Sequence, residues 1–428
     1  MKSISIYIHI PFCVKKCQYC DFLSAPADSR TQEVYLRALK QEIREQAARY
    51  REYEVQTVFI GGGTPTAVPC ENLCEVLKTV FSFYRMNPHA EISMEANPGT
   101  VTKEALLSYR KAGINRISIG LQSADDAELK LLGRIHTYRD FQQTYRWAQE
   151  AGCTNINLDI MSALPGQSVE NYKKTLETVL SLKPQHISAY SLIVEEGTPF
   201  YEKYGQESEK LQATGEKQPD LPSEEEEREM YALTEKLLAA AGYHRYEISN
   251  YALPGRECRH NLVYWKRGNY VGFGLGAASM VENVRFENIR EMQEYLAEYA
   301  CMPDAEPVFA EVAQGDAQVL SNEQEFSLRE DTHSENEQEL SIRENVHPLS
   351  LQEQMEETMF LGLRLTEGVS KAEFHRQFGV SMEQIYGEVI RKNTAKGLLI
   401  DEAGYVCLTR EGMDLSNYVM AQFLLDEV

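Results

Sequence analysis

No apolar run in the 428 residues approaches the length that a membrane-spanning helix requires, which excludes an integral membrane protein of the helical kind. Basic residues are also scarce: 43 Lys and Arg stand against 65 Asp and Glu, for a formal charge of −22. Such a field repels phosphates, so nucleic-acid partners are excluded unless a dense local Lys/Arg patch overcomes it, and no such patch is visible. The amino-terminal stretch MKSISIYIHIPFC lacks the apolar block and small-residue cleavage site of a secretory leader, and we expect residence in the cytoplasm. What is present is ordinary for a globular protein, with 43% hydrophobic and 25% charged residues. The length exceeds what one compact core usually supports, so two or three domains are expected. Nine cysteines, odd in number and unevenly placed, point in a reducing compartment to metal binding or catalysis rather than to a disulfide framework.

Ser3 to Ile10 alternates with period two and reads as a β-strand ended by Pro11. Five similar short runs follow: Val55–Ile60, Glu91–Glu95, Arg116–Leu121, Asn155–Ile160 and His186–Val194. Between them lie helical periodicities over Tyr35–Tyr53, Leu73–Tyr84, Lys103–Ala112, Tyr138–Ala151 and Val169–Leu182. Alternating β and α segments imply parallel strands with crossover helices, so residues 1–205 read as a partial (βα)6 barrel of TIM-like α/β class. Residues 203–229 read as a polar loop carrying the acidic run Glu224–Glu227, leading into a helix over Glu229–Ala241. Asn322–Glu330 recurs as Asn336–Glu344 at an offset of 14 residues, and the acidic stretch 305–350 around this repeat reads as a solvated or disordered insertion. Residues 351–428, with helices over Leu351–Leu365, Lys371–Phe378 and Met382–Lys396 and a hairpin around Glu402–Gly404, read as a small helical, winged-helix-like domain without a basic face.

Cys13, Cys17 and Cys20 crowd into one loop after the first strand, with spacing Cys-x3-Cys-x2-Cys. Three thiolates so spaced can surround one cubane and leave its fourth iron without a protein ligand. A zinc site or three buried turn cysteines are the other readings, although closed structural zinc wants a fourth ligand nearby and His9 sits on the strand. Gly61-Gly62-Gly63-Thr64-Pro65 follows the second strand, Glu95 ends the third, Gln122 the fourth and Asp159 the fifth. Barrel enzymes assemble their sites at these carboxyl ends, and glycine lets a ligand approach the backbone closely.

The cysteine spacing resembles the signature of radical S-adenosylmethionine (SAM) proteins. That resemblance implies a [4Fe-4S] cluster on Cys13, Cys17 and Cys20, SAM on its open iron, an electron donor, and a 5′-deoxyadenosyl radical as the product of electron transfer into the sulfonium. The chain is most similar to the branch holding oxygen-independent coproporphyrinogen III oxidase and the HemW heme chaperones. There the SAM contacts match Tyr7, Tyr19, Gly62, Gly63, Thr64, Glu95, Gln122, Arg134 and Asp159.

Within residues 206–304, Cys258-Arg259-His260-Asn261-Leu262-Val263-Tyr264-Trp265 combines a candidate axial ligand with two rings able to lie against a macrocycle. A histidine beside aromatics also fits a satisfied core residue. The run His-Asn-x2-Tyr-Trp is similar to the motif that marks HemW proteins, where it is associated with heme binding. The resemblance therefore implies heme as cargo on His260, Asn261, Tyr264 and Trp265, with His260, or Cys258 in second place, toward the iron. Two departures from the oxidase pattern, Cys20-Asp21-Phe22 in place of a fourth cysteine and only twelve residues before Cys13, favour heme delivery to acceptor proteins over coproporphyrinogen III oxidation. Catalytic turnover, oligomeric state and peripheral membrane association are left open by this reading.

Overall fold

A computed structural model describes residues 1–205, 219–299 and 343–425. Its centre is a run of six parallel strands, β1 (Lys2–Ile10), β2 (Tyr53–Gly62), β3 (Met86–Ala96), β4 (Arg116–Gln122), β5 (Ile156–Ser162) and β6 (His186–Ser191), each paired with the next. The alternation in β1 has a direct structural use. Ile4, Ile6, Ile8 and Ile10 join Tyr35, Leu36 and Leu39 of the Ser29–Gln46 helix in the main core. The intervening Ser5, Tyr7 and His9 have polar partners: Thr57 Oγ1 donates to Ser5 Oγ at 2.8 Å, and Tyr7 OH and His9 Nδ1 lie 3.0 Å apart. Both faces of such a strand are covered, as parallel strands require, with helices on one side and the site-bearing side chains on the other.

The sheet continues beyond the barrel at both edges. On the β6 side come β7 (His244–Arg245) and β8 (Asn250–Ala252), with β8 antiparallel to β6. On the β1 side, β9 (Tyr270–Phe273) is parallel to β1, followed by antiparallel β10 (Ala278–Val281), β11 (Val284–Asn288) and β12 (Arg343–Pro348). The result is an open sheet of twelve strands. None of β7 to β12 was expected from the sequence, because runs of two to six residues carry little periodicity and pair with partners far along the chain.

Other boundaries also differ. The acids Glu224–Glu227 are not a loop: Ser223 caps them in a reciprocal box with Glu226, and they form the first turn of a helix over Glu224–Ala240, where carboxylates favour the amino-terminal dipole. The first helix begins at Ser29, capped by Asp28, and ends at Gln46, before a short 3-10 turn that buries Tyr50. Strand β6 stops at Ser191, beyond which Ile193 is exposed. Arg343–Pro348, placed by the sequence inside the acidic insertion, pairs with β11; the rest of the repeat lies outside the described residues.

The carboxyl-terminal region has its own core, built on Met359, Phe374, Tyr386, Val406 and Phe423. It contains helices over Leu351–Gly362, Lys371–Phe378 and Met382–Ala395 and a three-stranded sheet of β13 (Val369–Ser370), β14 (Leu399–Glu402) and β15 (Tyr405–Leu408), the expected winged arrangement. Ion pairs dock it on the barrel extension: Glu357 takes Arg267 Nε at 3.1 Å and Arg285 Nη2 at 2.9 Å, while Arg364 stacks 4.3 Å above the Trp265 ring and reaches Glu247 at 3.5 Å.

Candidate functional site

The carboxyl ends of the six parallel strands surround a cavity of about 470 Å3. Its walls bring together Cys13, Cys17, Tyr19 and Cys20 from the loop after β1, Gly62, Gly63 and Thr64 from the end of β2, and Glu95, Gln122 and Asp159 from β3, β4 and β5. Arg134, Ser188, Asn250 and Asn261 complete this part of the lining. Residues more than two hundred positions apart, Cys13 and Asn261 among them, thus meet in one cavity wall.

Glycine is required at two of these positions. A Cβ on Gly62, which has φ +112°, would sit 2.6 Å from the His9 imidazole, and one on Gly63 would lie 2.7 Å from the Phe12 carbonyl and 3.0 Å from Cys13 Sγ. Gln122 holds a left-handed φ of +68° at a register shift between β4 and β5, a strained conformation at the cavity wall, where Tyr190 OH donates to its Oε1 at 3.1 Å. Behind the lining, Tyr7 is not a wall residue: its hydroxyl meets His9, whose Nε2 lies 2.9 Å from the Leu23 carbonyl in the cysteine loop. Tyr7 supports the loop from one layer back.

A hydrogen-bonded arc runs between two of the cysteines. Thr64 Oγ1 donates to Cys13 Sγ at 3.5 Å, Asn97 Nδ2 donates to Thr64 Oγ1 at 2.8 Å, Arg134 Nη2 donates to Asn97 Oδ1 at 2.6 Å, and Arg134 Nη1 donates to Cys17 Sγ at 3.7 Å. Arg134 is thereby fixed toward the cysteine loop, and its Nη2 also reaches the Gly120 carbonyl at 2.8 Å. Asn97 was not singled out in the sequence; its one signal is its place two residues after Glu95, at the same strand end.

Two carboxylates face this space, and the buried Arg116 guanidinium acts on both, opposing the rise that burial gives each. Burial raises Glu95 to about 8, the nearby Asp159 adds to the rise, and the Gly62 N–H opposes it. Burial also raises Asp159, against hydrogen bonds from Asn157 Nδ2 at 2.7 Å and Ser118 Oγ at 3.0 Å. From Asp159 a continuous polar chain leads away: Asn157 Oδ1 meets His186 Nδ1 at 2.6 Å, His186 Nε2 meets Tyr246 OH at 2.7 Å, and that hydroxyl accepts the Cys258 N–H at 3.2 Å.

Cys258 precedes the short helix Arg259–Trp265, and the four motif residues divide. Asn261 reaches the cavity, whereas His260 is 1% exposed and lies behind it. Its Nδ1 is 2.7 Å from Thr57 Oγ1, its Nε2 is 2.8 Å from Tyr264 OH, and Phe59 stacks on its ring at 5.2 Å. Burial drives the ring to about 3, so it is neutral. Both nitrogens are engaged in this arrangement, and ligating an iron would require the ring to leave both partners. Tyr264 packs edge-on against Tyr270 at 4.7 Å, and Trp265 lies under Arg364. The expected row of heme contacts is therefore one cavity residue, Asn261, backed by three that fasten its helix. Cys258 is buried as well, its thiol 3.7 Å from Glu91 Oε1 and pushed up to about 12 by burial.

The donor set fits the cofactors expected from the spacing. Three thiols of one loop line one cavity, while among the described residues no three His, Cys, Asp or Glu side chains converge as ligands of a single metal ion. A cubane takes each thiolate on a different corner. The buried acids suit ligand hydroxyls and a cationic ligand, and the glycine cradle lets a ligand lie against backbone. Fold and site together define a radical SAM protein. In agreement, residues 7–179 match the Radical SAM superfamily and residues 349–415 the HemN C-terminal domain. The chain is 36% identical to the heme chaperone HemW of Bacillus subtilis, over 98% of this chain and 99% of that one, and 33% identical to HemW of Lactococcus lactis over 100% and 99%. It belongs to the HemW heme chaperone family. The fold is also that of Escherichia coli coproporphyrinogen III oxidase, with a TM-score of 0.77 at 20% identity, over 99% of this chain and 90% of that structure. Membership in the radical SAM superfamily brings a [4Fe-4S] cluster and SAM as cofactors. Among the described residues no helix is long and apolar enough to cross a membrane.

Proposed function

We propose that this chain binds heme beside its SAM-ligated cluster and passes the heme to acceptor proteins. The observation that carries the reading is the seat of the His-Asn-x2-Tyr-Trp helix: Asn261 lies in the wall of the cavity that holds Cys13, Cys17 and Cys20, and the chain from Asp159 to Cys258 ties that helix to the cofactor site. The full-length relationship to HemW proteins supports the same activity. At the cavity mouth Phe22 and Ile193 are 60% and 68% exposed, apolar surface on which a flat macrocycle can rest.

In this reading Cys13, Cys17 and Cys20 hold the cluster, and Tyr19, Gly62, Gly63, Thr64, Glu95, Gln122, Arg134 and Asp159 surround SAM. Bound together, cluster and SAM supply one-electron chemistry at a sulfonium. The chain's own part is to orient SAM with buried acceptors and to keep water from it. His260 positions the motif helix by bridging Thr57 and Tyr264. The cytoplasm, where thiols stay reduced, suits the free cysteines of the described residues.

An anaerobic heme titration of the cluster-loaded protein, paired with transfer to an apo-acceptor and with a coproporphyrinogen conversion assay, tests the proposal. Expected are a shifted Soret band, transfer, and no vinyl-bearing product. Conversion without transfer would overturn it in favour of oxidase activity. In the same titration His260→Ala is expected to keep the heme band while losing about 2–4 kcal/mol of folding stability, because it opens a cavity and strands two buried partners. Loss of the band at unchanged stability would make His260 the ligand after all.

A further inference from the structure

Two pieces of chain outside the parallel strands reach the wall of the large cavity: Ser249 and Asn250, at the entry to β8, and Asn261 of the motif helix. The winged domain grips both. Leu365 forms a β-bridge with Glu247, Thr366 donates its N–H to the Tyr246 carbonyl and its Oγ1 to the Arg245 carbonyl, each at 3.1 Å, and Ile248 packs against the winged domain's own core. Between these points Glu247 is fully buried. Its Oε1 accepts from Ser249 N–H at 2.8 Å and from Asn250 Nδ2 at 2.6 Å, while its Oε2 lies 3.5 Å from Arg364 Nη2. The same guanidinium lies 4.3 Å above the ring of Trp265, which ends the motif helix one turn beyond Asn261.

We infer that Arg364 of the winged domain is a positioning residue for the heme site, setting the spacing between the Ser249–Asn250 wall and the Asn261 helix. The inference rests on the proposed function, which seats heme in this cavity. The amino half of the helix is already fastened to the barrel, where Glu91 accepts the N–H groups of Arg259 and His260, each at 3.2 Å. Its carboxyl end faces the winged domain, and there Arg364 is the side chain that meets both pieces. A planar guanidinium suits that place, because it can stack on an indole and pair with a carboxylate at once. Arg364 stands behind the wall and is not among the residues that line it. Its effect on heme therefore passes through Glu247 and Trp265. A wall held at fixed spacing is preorganised for its ligand, and losing that order shows chiefly as faster release.

The test uses the full-length, cluster-loaded protein charged with ferrous heme under anaerobic conditions, an excess of apomyoglobin as the trap for released heme, and urea unfolding of the same samples. Arg364→Gln leaves the buried Glu247 carboxylate without this partner, and is expected to lower the urea midpoint and to speed heme release about tenfold. Combining it with Glu247→Gln removes both charges, and the new amide oxygen can still accept from Ser249 and Asn250. The double variant is expected to regain most of the midpoint and to keep the fast release, so that stability and heme retention come apart. The SAM-induced change in the cluster EPR signal is expected to match wild type in both variants. Wild-type release from either variant would overturn the inference. Release that recovers together with the midpoint would overturn it too, by making Arg364 a matter of stability alone, as would a SAM response lost along with the heme. A wild-type protein that takes up no heme would instead refute the proposed function, and the role of Arg364 with it.

Discussion

Asn97 joins two of the three loop cysteines through one side chain, its amide N–H reaching Cys13 by way of Thr64 and its carbonyl holding Arg134 against Cys17. Hydrogen bonds to cluster sulfurs stabilise the more negative, reduced state. Asn97→Ala is therefore expected to lower the midpoint potential by roughly 40–60 mV, the one-electron equivalent of about 1–1.4 kcal/mol, as read by EPR-monitored redox titration. An unchanged potential would show the arc to be mere packing. At this scale the strand-end pattern in the sequence anticipated the meeting of Cys13, Cys17, Cys20, Glu95 and Asp159 in one cavity wall. It was silent on Asn97, which meets Arg134 across 37 positions, and on the contact of His260 with Thr57, 203 positions away. Only the Tyr264 contact, one helical turn on, was within reach of local spacing.

Elements were legible in proportion to their length and regularity. The six barrel strands and most of their helices carried enough periodicity to be read, whereas β7 to β12 owe their existence to partners and not to pattern. One buried residue fastens the added strands to the barrel. Glu42 of the Ser29–Gln46 helix accepts from Gly274 N at 2.8 Å, Asn288 Nδ2 at 2.5 Å and Tyr295 OH at 2.7 Å. Burial raises it from 4.5 to about 7 despite those donors. A carboxyl raised on folding stabilises fully below its unfolded value, and the contribution is lost as pH rises through the folded one, here from roughly pH 4.5 to 7. The shift corresponds to about 3 kcal/mol. Urea unfolding of Glu42→Gln at pH 5 and pH 8 is expected to show a pH dependence smaller than wild type by about that amount. Equal slopes in the two proteins would remove Glu42 from this role.

The whole molecule is a barrel with an open cavity and a winged domain held against its extension. The winged domain was legible from sequence because its contacts are local, but its mode of attachment was not. Glu357 and Arg364 reach Arg267, Arg285, Trp265 and Glu247, and Trp265, read from sequence as a surface for heme, serves this junction. Glu357→Ala strands the nearly buried Arg267 and is expected to cost about 3 kcal/mol, seen as early loss of residues 351–425 in limited proteolysis. Co-operative unfolding at the wild-type midpoint would contradict it. The account depends on the open iron of the cluster site. The most direct measurement is the EPR spectrum of the anaerobically reconstituted, reduced protein with and without SAM: a [4Fe-4S] signal that shifts on SAM addition is predicted, and a signal that is missing, or identical in both samples, would contradict the account.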